Sequence, residues 1–505
     1  MATVDPDFAQ FARTYESGQA QPLYSRLIAD LETPVSVYLK MGRGSANTFL
    51  FESVQGGETR GRYSVVGIDP DLIWRCRHGR ADINMRAAED ADAFQPITDP
   101  PLASLRKLVH ANRMNLPLDL APMAVGLFGY LGYDMVRLIE RLGDHPPDSL
   151  GLPDAILLRP TLVAIFDNIR DEITIVTPVW PERGVDARTA YASGCDRIEK
   201  AMRDLRTPIA EEQRTAAQLS PGCEIHSSTT REDYLAMVER AKEYIRAGDV
   251  FQVVPSQRFT RPFPLPPFSL YRALRRLNPS PFLYHLAFPG FTIVGSSPEI
   301  LVRLRDGVVT IRPIAGTRPR GKSPDEDTAL AEELMNDPKE RAEHLMLLDL
   351  GRNDVGRVTK TGTIRVTDSF FIERYSHVMH LVSNVEGEMR DTLDAVDVLA
   401  AGLPAGTLSG APKIRAMQII DELEKQKRGA AYAGAIGYFA ANGAMDTCIV
   451  LRTALLKDGM MYVQAGGGVV ADSVPETEYQ ESVNKAKALF AAADEASRLL
   501  HVGEG

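Results

Sequence analysis

Residues 461–490 read MYVQAGGGVVADSVPETEYQESVNKAKALF. A short apolar run, Tyr462 to Ala465, stops at three glycines, Gly466, Gly467 and Gly468, and a helix-forming stretch begins after Pro475. The order predicted here is strand, glycine loop, helix. Consecutive glycines let the backbone approach a ligand closely and leave N–H groups uncovered, which suits an anion. On the helix, Glu478 and Glu481 are three residues apart and Lys485 lies four beyond Glu481, so they share a face. Paired carboxylates beside an anion cradle suit a hard divalent cation that bridges protein to an acidic substrate. Mg²⁺ takes one or two carboxylates and leaves its other positions to substrate and water. Read alone, the same helix is equally a solvated face with a Glu481–Lys485 pair. Matching parts elsewhere in the chain decide between the two.

One such part is Asn336–Val355, NDPKERAEHLMLLDLGRNDV. Asp337 can cap a helix, Pro338 suits its first position, and Glu340 stands where a capping box places its acid. Glu343 has no capping duty. Glu340 and Glu343 repeat the Glu-x-x-Glu spacing of Glu478 and Glu481, so two facing helices could hold one Mg²⁺ with a carboxylate from each.

Working outward, residues 1–205 read as β-rich with a few helices. Val35–Leu39, Thr48–Val54 and Tyr63–Ile68 look like strands, and Ala155–Phe166 with Glu172–Val179 like a strand pair. Residues 206–228 are polar without apolar periodicity and read as a linker. From 229 to 499 the chain reads as one large domain. Thr229 and Thr230 cap a helix, Val250–Phe259 is a strand, and Asp306-Gly307 and Asn442-Gly443 mark hairpins. Helices are expected at about 326–350, 392–401 and 410–426. Hairpins alternating with helices give an α+β fold with mostly antiparallel sheet. No Rossmann glycine pattern or Walker lysine is present.

Composition narrows the function. A net charge of −10 over 505 residues argues against nucleic acid as the main partner. No apolar run is long enough to span a bilayer, and no secretion signal is read at the N-terminus, so a cytoplasmic protein without a membrane partner is expected. The four cysteines, Cys76, Cys195, Cys223 and Cys448, are widely spaced, which fits a reducing compartment and no structural zinc.

Further constellations stand near the glycine loop's partners. PIAGTRPRG (313–321) places Gly316 and Thr317 on a tight turn after a strand, and AGTLSGAPK (405–413) contains Thr407 and places Ser409 to cap a helix. SHVMHLVS (376–383) puts His377 and His380 in an apolar run, where a histidine is more often a satisfied core residue than an acid–base group. DTCIVLRT (446–453) puts Arg452 in an apolar strand, where it needs an anionic partner from protein or substrate.

Together DVFQVVPSQRF, GSSPE, PIAGTRPRG, RAEHLMLLDLGRND, SHVMHLVS, AGTLSGAPK, GAIGYF, DTCIVLRT, QAGGGVVADS and EYQESVNKAKAL resemble the chorismate-utilising enzymes, in particular the large subunits (component I) of anthranilate synthases. The resemblance covers essentially the whole chain. It implies a layered α/β/β/α sandwich with a β-rich N-terminal regulatory portion. It implies Mg²⁺ on Glu343 and Glu481 with Glu478 nearby, and chorismate on Gly316, Thr317, Thr407, Tyr432, Arg452, Gly466, Gly467, Gly468 and Lys485. His380 is then an acid–base group, with Glu299 of GSSPE the candidate acid for the departing hydroxyl and Glu340 and Thr407 as further catalytic candidates. In FLFESVQGGETRGRYSVVG (49–67), which resembles the family's feedback site, Glu52 and Ser53 would read the ammonium of L-tryptophan, and NPSPF (278–282) would complete the pocket through Pro279, Ser280 and Pro281. Read without the resemblance, Ser53 is a strand-end serine bonding its own backbone.

Two positions bear on which reaction of the family to expect. Ala315 stands where aminodeoxychorismate synthases often carry an attacking lysine, and Gln252 where isochorismate and salicylate synthases carry a lysine that activates water. Neither alanine nor glutamine does that chemistry, which favours ammonia as nucleophile. No cysteine sits on an amidotransferase-type nucleophile elbow, so ammonia is expected from a separate glutamine amidotransferase subunit, in a heterotetramer of two such pairs. The competing expectations are an aminodeoxychorismate or isochorismate synthase, and a non-catalytic amino-acid sensor that docks to a glutaminase. Glu343, Glu481, His380 and Arg452 speak against the sensor.

Overall fold

The computed structural model describes residues 3–42, 44–55, 59–209, 224–375, 378–429 and 431–501. Ser376, His377, Cys223 and the middle of the expected linker lie outside the described residues.

Among the described residues, twenty-one strands join one continuous antiparallel sheet system that folds back on itself. Three apolar clusters define its layers. Between the sheet faces lie Phe49, Phe128, Val163, Tyr284, Ile293 and Ile436. Outside one face, helices contribute Phe11, Ile198, Leu270, Leu274 and Leu489. Outside the other, helices contribute Leu105, Leu348, Val355, Leu399 and Met417. The result is helix, sheet, sheet, helix, an α+β arrangement. Strands of the first 205 residues pair directly with later ones: Glu52 opposite Leu283, and Gly129 opposite Gly437.

Local sequence explains most elements. Asp306 and Gly307 both take positive φ (50° and 75°) and close the hairpin between Ile300–Arg305 and Val308–Ile311, as a type I′ turn requires. The Thr230 hydroxyl accepts the Asp233 N–H at 3.1 Å and starts the helix Arg231–Arg246. Ala155–Asp167 and Glu172–Val179 pair as expected.

Four expectations need correction. Val35–Leu39 is not a strand but part of the helix Pro34–Gly42. The Thr33 and Ser36 side chains satisfy each other's backbone N–H groups at its start, and Val37, Tyr38 and Met41 form its buried face. The helix expected at 326–350 is two, Pro324–Asn336 and Pro338–Gly356, because Asp337 leaves helical geometry to cap the second. Ser409 caps nothing: its hydroxyl donates back to the Ala405 carbonyl (2.9 Å), and Pro412 precedes the helix Lys413–Leu423. The strand expected through Arg452 breaks into Met445–Ile449 and Thr453–Lys457, with Arg452 at φ 45° between them.

Candidate active site

The strand Met460–Gly466 delivers the glycines. Gly466 lies so close to the strand Ser256–Pro262 that a Cβ there would stand 2.1 Å from the Pro255 carbonyl oxygen. A Cβ on Gly468 would meet the Gln252 amide at 2.2 Å. Gly467 forms the floor beneath two carboxylates: a Cβ there would come within 2.9 Å of Glu478 Oε2 and 3.6 Å of Glu481 Oε1. Both acids belong to the helix Pro475–His501. Lys485, one turn further, bridges Glu481 (2.7 Å) and the Gly466 carbonyl (2.9 Å), tying helix to loop.

The second acidic helix meets the first here. Glu343 has its pKa raised by burial first and then by the charges of Glu340 and Glu481, so carboxylates of the two helices share one electrostatic field. Burial also raises Glu478, against the Ser473 hydroxyl that donates to it at 2.7 Å, and the Glu481 charge adds to the rise. Lys339 and Lys485 oppose these rises without cancelling them, so the two helix faces carry an excess of negative charge here. Glu340 does not reach back to complete a capping box; it pairs with Arg318 at 3.1 Å, while Asp337 alone caps.

Across the hollow, the strand Ile314–Pro319 pairs with Val378–Glu388, and the register slips between Ala315 and Thr317. Gly316 is therefore a bulge residue within a strand, not a turn, and its φ of +64° suits glycine. The bulge aims the Gly316 carbonyl at His380, whose Nδ1 donates to it at 2.9 Å with Thr317 Oγ1 at 3.1 Å. With Nδ1 carrying the proton, Nε2 keeps its lone pair, and among the described residues that buried nitrogen has no partner. Burial lowers the His380 pKa to about 4, so the ring is neutral near pH 7.

Glu299 is the opposite case. Glu299 is 7 % exposed, and the only side-chain partner of its carboxyl among the described residues is the Thr407 hydroxyl at 3.3 Å. Desolvation lifts its pKa to about 8. A carboxylic acid that keeps its proton and an imidazole that stays neutral are a matched acid and base at the same pH.

Tyr375, which sequence reading missed, links these groups. Its ring packs edge-on against His380 with centroids 5.4 Å apart, and its pKa is raised chiefly by burial, with the Glu299 charge contributing. Its only sequence signal was an aromatic next to a histidine-containing run. Arg452 lies within the same electrostatic group, since its charge lowers His380. Burial lowers the Arg452 pKa, and no described carboxylate pairs with it. Its backbone takes a left-handed φ of 45° in the bend between the strands Met445–Ile449 and Thr453–Lys457. Tyr432 lies in the turn before the strand Ala435–Ala440, buried with its ring 5.5 Å from the Arg428 guanidinium, beside Thr453 and Gln464. Among the expected residues, Glu343 feels Glu481, Glu340 stands against Gly316, Gly316 holds His380, His380 feels Arg452, and Glu299 meets Thr407.

The second group of expected residues lies elsewhere. Glu52 is buried and accepts from Arg275 Nε at 2.6 Å and from the Tyr271 hydroxyl. With Ser53 and Pro281 it borders a cavity of about 640 Å³ between the sheets. Pro279 and Ser280 precede that rim, Ser280 buried.

Residues 49–491 match the family described as chorismate binding enzyme. The chain belongs to that family. Its relatives within it are similar over nearly their whole lengths. Anthranilate synthase component 1 of Cereibacter sphaeroides is 59% identical, covering 97% of each chain. That of Pseudomonas aeruginosa is 49% identical, covering 93% of this chain and 95% of the relative. Among solved structures, anthranilate synthase component I of Streptococcus pneumoniae superposes with a TM-score of 0.75 at 39% identity, covering 85% and 92% of the two chains. The menaquinone-specific isochorismate synthase of Escherichia coli shares the fold (TM-score 0.68, 19% identity, 96% and 98% covered).

Proposed function

We propose that the chain is the catalytic component of an anthranilate synthase, converting chorismate and ammonia to anthranilate, pyruvate and water as the first step of tryptophan synthesis. The observation that carries the reading is a buried His380 whose Nδ1 is fixed on the Gly316 carbonyl and whose Nε2 has no partner, together with a buried Glu299 held only by Thr407 and an Arg452 with which no carboxylate pairs among the described residues. Arg452 binds a substrate carboxylate, and the Gly466–Gly468 amides line the other side. Glu299 gives its proton to the ring hydroxyl, which leaves as water while ammonia forms the new C–N bond. His380 Nε2 then takes the ring proton as the enolpyruvyl ether C–O bond breaks and pyruvate departs, leaving the aromatic ring. Both groups start in the required states near neutral pH.

Mg²⁺ fits the donor set. Glu343 and Glu481 are hard oxygen ligands from two helices, with Glu340 and Glu478 beside them, and among the described residues no three acidic, His or Cys groups form a closed cage. Such a site draws remaining ligands from substrate and water. When bound, the ion supplies charge neutralisation for the substrate carboxylate. Gln252 lies against Gly468 where a water-activating base would be needed for hydroxylation, which favours ammonia over water. The ammonia comes from a glutamine amidotransferase subunit in a heterotetramer, and L-tryptophan inhibits through the cavity bordered by Glu52 and Ser53. Among the described residues no helix is long and apolar enough to cross a membrane.

The test is the product formed from chorismate, Mg²⁺ and ammonium by the isolated chain. The reading expects fluorescent anthranilate. Isochorismate or aminodeoxychorismate as end product would reassign the reaction within the family, and no turnover would favour the sensor.

A further inference from the structure

A buried ion pair adjoins the site without entering the chemistry proposed above. Glu424 ends the helix Lys413–Leu423, and Arg428, four residues on, pairs with it at 2.8 Å; the two side chains are 4 % and 1 % exposed. Desolvating two charges can cost more than their attraction returns, so a pair this deep is weak evidence of a stabilising role. Its hydrogen bonds show what it holds. Arg428 donates from Nη1 to the Leu408 carbonyl at 2.7 Å and from Nη2 to the Val254 carbonyl at 2.6 Å. Glu424 accepts the Ser256 N–H and hydroxyl, each at 2.9 Å. Leu408 follows Thr407, whose hydroxyl donates to Glu299. Val254 follows Val253, which pairs with Val469 beside Gly468, and Ser256 is the register partner of Gly466. One backbone bond joins the two segments directly, from the Val254 N–H to the Ser409 carbonyl at 3.0 Å. The rigid guanidinium fork adds a second, independent tie between them.

We propose that Arg428, backed by Glu424, is a positioning residue that sets the Thr407 segment against the strand beneath the glycine loop and so fixes the hydroxyl on which the Glu299 carboxyl rests. The proposal rests on the reading of Glu299 as the acid for the departing hydroxyl. It has a signature that loss of folded protein does not share. The Thr407 hydrogen bond holds the Glu299 pKa down against the burial that raises it. Loosening that bond therefore moves the alkaline limb of turnover to higher pH.

Turnover of the full chain with chorismate, Mg²⁺ and fixed free ammonia, followed over about pH 6 to 10, tests this in wild type, Arg428→Lys, Arg428→Met/Glu424→Gln, Thr407→Val and Arg428→Lys/Thr407→Val, with thermal melts fixing the folded fraction of each. Lysine keeps the charge against Glu424 but loses the fork, and removing both charges together strands neither of them. Both Arg428 variants should lower kcat of the folded protein roughly 10- to 100-fold and shift the alkaline limb upward, the direction in which Thr407→Val shifts it. Arg428→Lys/Thr407→Val should shift it no further than Thr407→Val alone, because the two changes act through one hydroxyl. A limb at the wild-type position in both Arg428 variants, with turnover lost only in proportion to folded protein, overturns the proposal and leaves the Glu299 reading standing. Additive shifts in Arg428→Lys/Thr407→Val also overturn it. A wild type without the limb, or a limb that persists in Glu299→Gln, removes both.

Discussion

Replacing Glu299 with glutamine isolates the proton this carboxyl is argued to carry. The amide keeps the shape and the hydrogen bond with Thr407 but has no proton to give. With its pKa raised from 4.5 to about 8, Glu299 is roughly 90% protonated at pH 7 and roughly 10% at pH 9. Turnover at fixed free ammonia should therefore fall roughly ninefold between those values in the wild type. Glu299→Gln should lose about 10²- to 10⁴-fold at pH 7 and show no alkaline limb near pH 8. A second readout needs no substrate. Because the folded state holds this proton to higher pH than the unfolded chain, its contribution to stability is full below pH 4.5 and is lost as pH rises to about 8. The loss is of order 5 kcal/mol at most. Thermal melts should thus show wild type losing stability relative to Glu299→Gln between pH 5 and 9. An unchanged alkaline limb in the variant, or parallel pH–stability curves, would refute the reasoning.

Three further outcomes are expected. Gly316→Ala puts a Cβ at φ +64°, 2.9 Å from Leu334 Cδ1 and 3.0 Å from Glu340 Oε2; it should cost about 1–2 kcal/mol in urea unfolding and cut turnover at least about tenfold, because the carbonyl that orients His380 moves. Unchanged turnover would detach the bulge from catalysis. Arg452→Gln should raise KM for chorismate roughly 10- to 100-fold with kcat within about threefold; a kcat loss at constant KM would contradict ground-state carboxylate binding. Ser53→Phe, which pushes a ring into the cavity, should relieve tryptophan inhibition without lowering the uninhibited rate, measured as inhibition curves on both proteins. Full inhibition of the variant would move the effector elsewhere.

Much of this site is written in short-range signals. Glycines mark close approaches, as at Gly466 and Gly468, Thr230 marks a helix start, and Asp306-Gly307 marks a hairpin, because each acts through its immediate neighbours. What stayed hidden depends on distant partners. Val35–Leu39 alternates like a strand over five residues, too few to separate a period of two from 3.6, and its helix is decided by the Thr33–Ser36 cap and packing. The Gly316 bulge exists only relative to Val378–Glu388, and the break at Arg452 only relative to the strands on either side. Glu52 also pairs with Arg275, a partner 223 residues away that no local pattern announces. Tyr375 carries no motif of its own, yet its ring packs on His380 and its hydroxyl is buried beside Glu373, with Glu299 a weaker neighbour.

The two acidic helices acting as one cation site are most directly tested by the Mg²⁺ dependence of turnover in Glu481→Gln. The account predicts activity that depends on added Mg²⁺ in the wild type and falls by more than roughly 100-fold in the variant, with circular dichroism and melting unchanged. Near-normal, Mg²⁺-independent turnover by Glu481→Gln would contradict it.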